Sequence, residues 1–174
     1  NVTLRTPDES AVLTRDLTVT IPAGCRVLIQ GDAREAKHAL FSATAGLYES
    51  WDGRIVRPSA QGMLFLPEQP FLPHGTLRGF LFGRDDGGVS EETLAATFRA
   101  LGIEQLIAEV GGLDVERPWD EVLSLGRQQL LAVARLLLAR PKFAFFDRVS
   151  TALETGELSK VLKLLAQNSI TCIA

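Results

Sequence analysis

Apolar and polar residues alternate from the first positions of the chain, in Val2-Thr3-Leu4 and again in Leu17-Thr18-Val19-Thr20-Ile21. A period of two predicts strands with one buried face, here antiparallel, with Pro7-Asp8-Glu9-Ser10 as a turn. Pro22-Ala23-Gly24 makes a second turn before the short apolar run Cys25-Arg26-Val27-Leu28-Ile29. Gly31 ends that run, and a helical spacing follows over about 36–47. A strand, a glycine turn and a helix in succession set a helix N-terminus where it can face an anion.

Residues 53–56 and 62–66 read as further strands. Pro67, Pro70 and Pro73 then punctuate a loop that regular structure cannot cross. Residues 83–88 form a polar, turn-rich break. Ser90 caps the next helix, with Thr93 where a capping box carries Glu, and the helical spacing runs on to about Val110. A helix over 126–139 stops just before Arg140-Pro141. Phe143-Ala144-Phe145-Phe146 reads as a buried strand ending at Asp147, 157–167 as a helix, and 170–173 as the start of a last strand. Strands alternating with helices predict an α/β domain with a largely parallel sheet.

Composition narrows this picture. The 174 residues are about one domain's worth, 46% hydrophobic and 22% charged, which is a globular balance. A net charge of −3 argues against a broad nucleic-acid surface. No run of about 18 uncharged apolar residues occurs, and no secretion signal is visible. Cys25 and Cys172 both sit in apolar runs and read as buried free thiols rather than a disulfide. The abrupt ends of the chain suggest a piece of something longer.

The most specific chemistry lies in Leu123-Ser124-Leu125-Gly126-Arg127-Gln128-Gln129, just before a helix. By itself, Ser-x-Gly at such a place is an ordinary helix cap. Downstream come Phe143-Ala144-Phe145-Phe146-Asp147 and then Thr151-Ala152-Leu153-Glu154. In this order, with Arg140-Pro141-Lys142 between, the three segments resemble the ABC ATPase family. The first resembles its signature motif, the second its Walker B strand and the third its D-loop.

Upstream, Gly31-Asp32-Ala33-Arg34-Glu35-Ala36-Lys37-His38 lies where that family has its Walker A loop. Gly31 and Lys37 fit the pattern of glycine, four residues, glycine, lysine and a hydroxyl residue. Ala36 replaces the second glycine, His38 replaces the hydroxyl that contacts magnesium, and Arg34 stands where members usually have another glycine. Side chains at 34 and 36 predict a steric cost in a loop that wraps phosphate. Asp147 is the position of a ligand to magnesium-bound water. The residue after it should be the glutamate that prepares the attacking water; it is Arg148, which cannot accept a proton.

Phe65-Leu66-Pro67-Glu68-Gln69-Pro70-Phe71-Leu72-Pro73, followed by Gly75-Thr76-Leu77-Arg78, resembles the Q-loop of one branch, that of peroxisomal fatty-acyl transporters and bacterial proteins of the SbmA/BacA type. Glu68 takes the glutamine position, and the resemblance keeps it as a second magnesium ligand. Trp119 also fits this branch, although a tryptophan there reads as core. Other departures accumulate. No aromatic residue stands near Thr6 to stack on adenine, Arg127 and Leu130 replace the usual Glu and Arg, and the chain stops at Ala174 before the switch histidine. His38 and His74 lie in the wrong part of the pattern to serve as that histidine, and His74 reads as exposed loop.

The resemblance implies a P-loop NTPase (RecA-like) α/β core with an N-terminal antiparallel β portion, over 1–74 and 139–174, and a helical subdomain over about 75–138. It implies ATP and Mg2+ as ligands, at residues 31–38 on one copy and at Ser124, Gly126 and Gln128 on another. Its partners would be a second nucleotide-binding domain and a transmembrane domain, on the cytoplasmic face of a membrane. Three functions stay open. The chain is a domain with a worn site that lends its signature to a competent partner, a slow motor in a homodimer using Lys37, Glu68 and Asp147, or a scaffold without ATP turnover.

Overall fold

A computed structural model describes residues 1–31, 33–83, 88–148 and 152–174. Strand β1 (Val2–Arg5) pairs antiparallel with β2 (Val12–Leu17), five residues earlier than the alternation at 17–21 predicts. The turn explains the shift. Thr6 N–H bonds the Ala11 carbonyl, and Asp8 Oδ1 accepts from Ser10 N–H, which closes the loop and sets Val12 opposite Arg5. Val19 is exposed, so its place in the alternation does not reflect burial.

The next strand, β3 (Arg26–Val27), leads into helix α1 (Arg34–Ala45). The helix begins two residues before the expected Ala36. Arg34 and Ala36, good helix formers, extend it where glycines would have held a loop. Neither has a positive φ, so the backbone itself asks for no glycine at 34 or 36. Strand β4 (Trp51–Gly53) pairs with the other edge of β1, and the predicted strand at 53–56 stops at its first residue. There φ is +112°, and a Cβ would collide with the Asn1 carbonyl oxygen, so only glycine fits.

Past a 3-10 turn (Ala60–Gly62), β5 (Met63–Leu66) leads to the proline loop and to β6 (Gly75–Thr76). Helices α2 (Leu77–Phe82), α3 (Glu91–Leu101) and α4 (Leu106–Glu109) follow, then β7 (Glu116–Arg117), which pairs antiparallel with β6. Ser90 caps α3 by accepting from Thr93 N–H, as expected. A left-handed Gly102 stops the helical run that the sequence carries on to Val110.

The last third holds α5 (Trp119–Val122), α6 (Leu125–Ala139), β8 (Phe143–Phe146), α7 (Thr155–Gln167) and β9 (Thr171–Ile173). The strand order β3-β9-β8-β5 is parallel throughout. Helix α6 is buried nearly all round, with Leu131, Val133, Ala134 and Leu136 fully enclosed, as befits a helix at the centre of the core. Cys25 and Cys172 are both free. Cys172 is buried and its burial pushes the thiol pKa up, whereas Cys25 is only half-buried.

Candidate functional site

In an open parallel sheet, ligands collect at the carboxyl ends of the strands. Strands β5 and β8 lie side by side there, and the Asp147 N–H extends their ladder by bonding the Leu66 carbonyl. The chain that leaves β5 carries Glu68, and the chain that leaves β8 carries Asp147 and Arg148. Phe65 stacks on Phe145 at 4.5 Å, and Phe41 of α1 meets the Phe145 ring edge-on at 5.4 Å. This aromatic wedge fixes α1 against the strand that ends in Asp147.

Lys37 sits one turn before Phe41 on α1. Its Nζ lies 5.6 Å from the Phe41 ring centre and 3.8 Å from Asp147 Oδ1. The structure therefore brings together the lysine and the aspartate that the sequence singles out. Glu68 Oε2 lies 3.4 Å from Arg148 Nη1 and 3.8 Å from Arg34 Nη2. Arg148 has a φ of +56°, a left-handed conformation uncommon for a bulky residue. Basic and acidic groups thus alternate across the site.

The rest of the 31–38 segment is more open. Gly31, Ala33, Glu35 and His38 are exposed and Ala36 is half-buried, while Asp32 lies outside the described residues. Ala33, the N-cap of α1, makes no side-chain bond to the helix amides. The first turn of the helix keeps N–H groups without intrahelical partners, beside Lys37 and Arg34.

The second segment belongs to the start of α6. Ser124 is exposed, and its hydroxyl accepts from Arg127 N–H at 3.4 Å. A Cβ on Gly126 would stand 2.9 Å from the Ala152 carbonyl oxygen, so glycine here admits the chain after β8. Thr151, expected at the head of the D-loop, lies outside the described residues. Leu153 is buried, and Glu154 opens α7 in a capping box with Glu157. Gly126→Ala is expected to lower stability by about 1–3 kcal/mol, read by denaturant unfolding, since backbone must yield. Unchanged stability would deny the close approach.

Gln128 is turned inward. Its Nε2 bonds the carbonyls of Leu123 at 2.7 Å and Asp120 at 3.1 Å, so it braces the segment before Ser124 instead of facing outward. Sequence reasoning passed over Gln129, which is fully buried and whose Nε2 holds the Glu68 carbonyl at 2.7 Å. An amide in the midst of a leucine-rich helix was the available signal, because a buried polar group needs a partner. Arg127 and Leu130 have their own uses: Arg127 pairs with Glu109 at 2.6 Å, and Leu130 is in the core. His74 is exposed and Trp119 fully buried, both as expected.

No family model matches the chain. Among known proteins, it is 35% identical over its whole length to an uncharacterized ABC transporter ATP-binding protein of Synechocystis, covering 26% of that protein. It is 32% identical over 99% of its length to the lysosomal cobalamin transporter ABCD4 of Mus musculus, covering 30% of it. With the human ATP-binding cassette sub-family D member 3 it shares 32% identity over 87% of its length and 24% of the relative's. The chain thus spans between 24% and 30% of the length of these curated relatives. A bacterial Atm1-family ABC exporter solved with ATP bound superposes with a TM-score of 0.81 at 24% identity, over 99% of this chain and 34% of that one, and this shows the same P-loop NTPase fold. The order of motifs, the parallel sheet with Lys37 beside Asp147, and these relatives agree: the chain is a homologue of the ATP-binding proteins of ABC transporters.

Proposed function

We propose that this chain is the nucleotide-binding domain of an ABC transporter, with a worn ATP site that turns over slowly and a sound signature segment lent to a second nucleotide-binding domain. The observation that carries this reading is the asymmetry between the two halves. At the strand ends, a cation stands in the catalytic glutamate's place: Arg148 is bound to Glu68. At the start of α6, Ser124 is exposed on an intact capped turn and Gly126 keeps its contact with residue 152.

The residues at the strand ends fit a polyanion. Lys37, Arg34 and the first amides of α1 converge there, and a helix N-terminus favours negative charge. Hydrolysis is another matter, since a general base is worth roughly two to four orders of magnitude in rate and an arginine cannot provide one. The transmembrane domain, on the same chain or another, would set the transported substrate, and residues 75–138 are the proposed helical subdomain. No helix among the described residues is long and apolar enough to cross a membrane. The membrane attachment proposed here, on the cytoplasmic face, comes through that other domain.

The test combines this protein at full length with a competent partner. Hydrolysis restored by mixing should fall at least about tenfold when Ser124→Arg puts a bulky cation on the lent surface. A restored activity indifferent to that change would end the proposal. A scaffold without ATP turnover is the second reading, and the mutual neutralisation of Lys37 with Asp147 and of Glu68 with two arginines favours it. Under that reading Lys37→Ala leaves transport in cells unchanged.

A further inference from the structure

Three oxygen donors define a magnesium site in the family pattern: a hydroxyl after the lysine, the Q-loop side chain, and the Walker B aspartate. In this chain the first is His38, whose exposed imidazole offers nitrogen and no hydroxyl. The second is Glu68, whose Oε2 has a guanidinium on either side, Arg148 at 3.4 Å and Arg34 at 3.8 Å. The third is Asp147, with the Lys37 ammonium 3.8 Å from Oδ1. Magnesium demands close, near-octahedral oxygen ligation, and a dication must also overcome any cations already there. With no hydroxyl at 38 and both carboxylates already paired with cations, the donor set as it stands does not fit the metal.

It does fit a bare polyphosphate. Three cations, Arg34, Lys37 and Arg148, face two carboxylates, Glu68 and Asp147, with Glu35 exposed on α1 nearby. These pairs are long and part-exposed, hence weak. A phosphate oxygen can take over a guanidinium from Glu68 with a shorter, charge-assisted bond, since arginine's fork matches phosphate. Arg148 reaches Glu68 from a left-handed backbone, φ +56°. His38 takes away one oxygen donor, and Arg148 brings a fixed positive charge that pairs with another, Glu68.

Resting on the nucleotide reading above, we propose that this site binds the triphosphate of ATP without a divalent cation, Arg148 supplying the positive charge that the metal would otherwise bring. The test measures ATP affinity of the full-length protein by calorimetry, in EDTA and again with excess magnesium. Affinity in EDTA should equal or exceed that in magnesium. Arg148→Gln should weaken binding in EDTA about tenfold, with a smaller change in magnesium, and Arg148→Lys should retain most of it. Circular dichroism of each variant checks the fold. Binding that strengthens tenfold on adding magnesium would overturn this proposal and leave the nucleotide reading standing. So would EDTA affinity unmoved by Arg148→Gln in a folded variant. Absence of binding in both buffers would overturn the two together.

Discussion

Exchanging the charges across the site, Glu68→Gln together with Arg148→Glu, is expected to raise ATP hydrolysis by the full-length protein about a hundredfold, near the lower end of what a general base contributes. Phosphate release in magnesium buffer is the measurement. The pair must change together because the two side chains are partners at 3.4 Å. Arg148→Glu alone would aim a second carboxylate at Glu68, which would keep its pairing with Arg34 at 3.8 Å, and like charges so placed resist joint ionisation. The single change should therefore gain much less than the double one. His38 and Ala36 remain in both variants, so neither reaches a fully competent rate. A double variant no faster than the parent would show that Arg148 is not what slows the site.

Trp119→Ala should cost about 3–5 kcal/mol of stability, the range for truncating a large enclosed aromatic residue. Trp119 is fully buried, and its Nε1 donates to the Gly75 carbonyl at 2.7 Å. The substitution leaves a cavity beside α6 and removes the donor that ties α5 to β6. For a domain of this size the loss corresponds to a fall of roughly 6–20 °C in Tm. Trp119→Phe should recover most of the apolar contact but not the hydrogen bond, and lie between. Alanine tolerated without a drop in Tm would contradict this burial.

The sequence was most legible where local signals and burial agree. Phe143-Ala144-Phe145-Phe146 reads as a strand and is β8 to the residue; the helices predicted over 126–139 and 157–167 begin one and two residues earlier, as α6 and α7. It was least legible where register depends on a partner. Val19 and Ile21 keep the period of two, yet the turn at 6–11 gives the pairing to Val12–Leu17, a choice fixed by loop closure that periodicity does not carry. At the site, each departure could be read singly: Arg148 without a base, Glu68 without an amide, Arg34 without glycine's freedom. That these three are one cluster could not, since their meeting depends on adjacent ends of β5 and β8. Arg34 lies in the predicted loop before Ala36, whereas it is a helical residue that lengthens α1.

The nucleotide site stands or falls with Lys37 and Asp147 facing a phosphate chain. Calorimetric titration of the full-length protein with ATP, run beside Lys37→Ala, tests this most directly. Saturable binding is expected in the parent, weakened at least about tenfold in the variant, because the removed ammonium is one of three cations at the site. Identical titrations of the two proteins, or no binding by the parent, would contradict it.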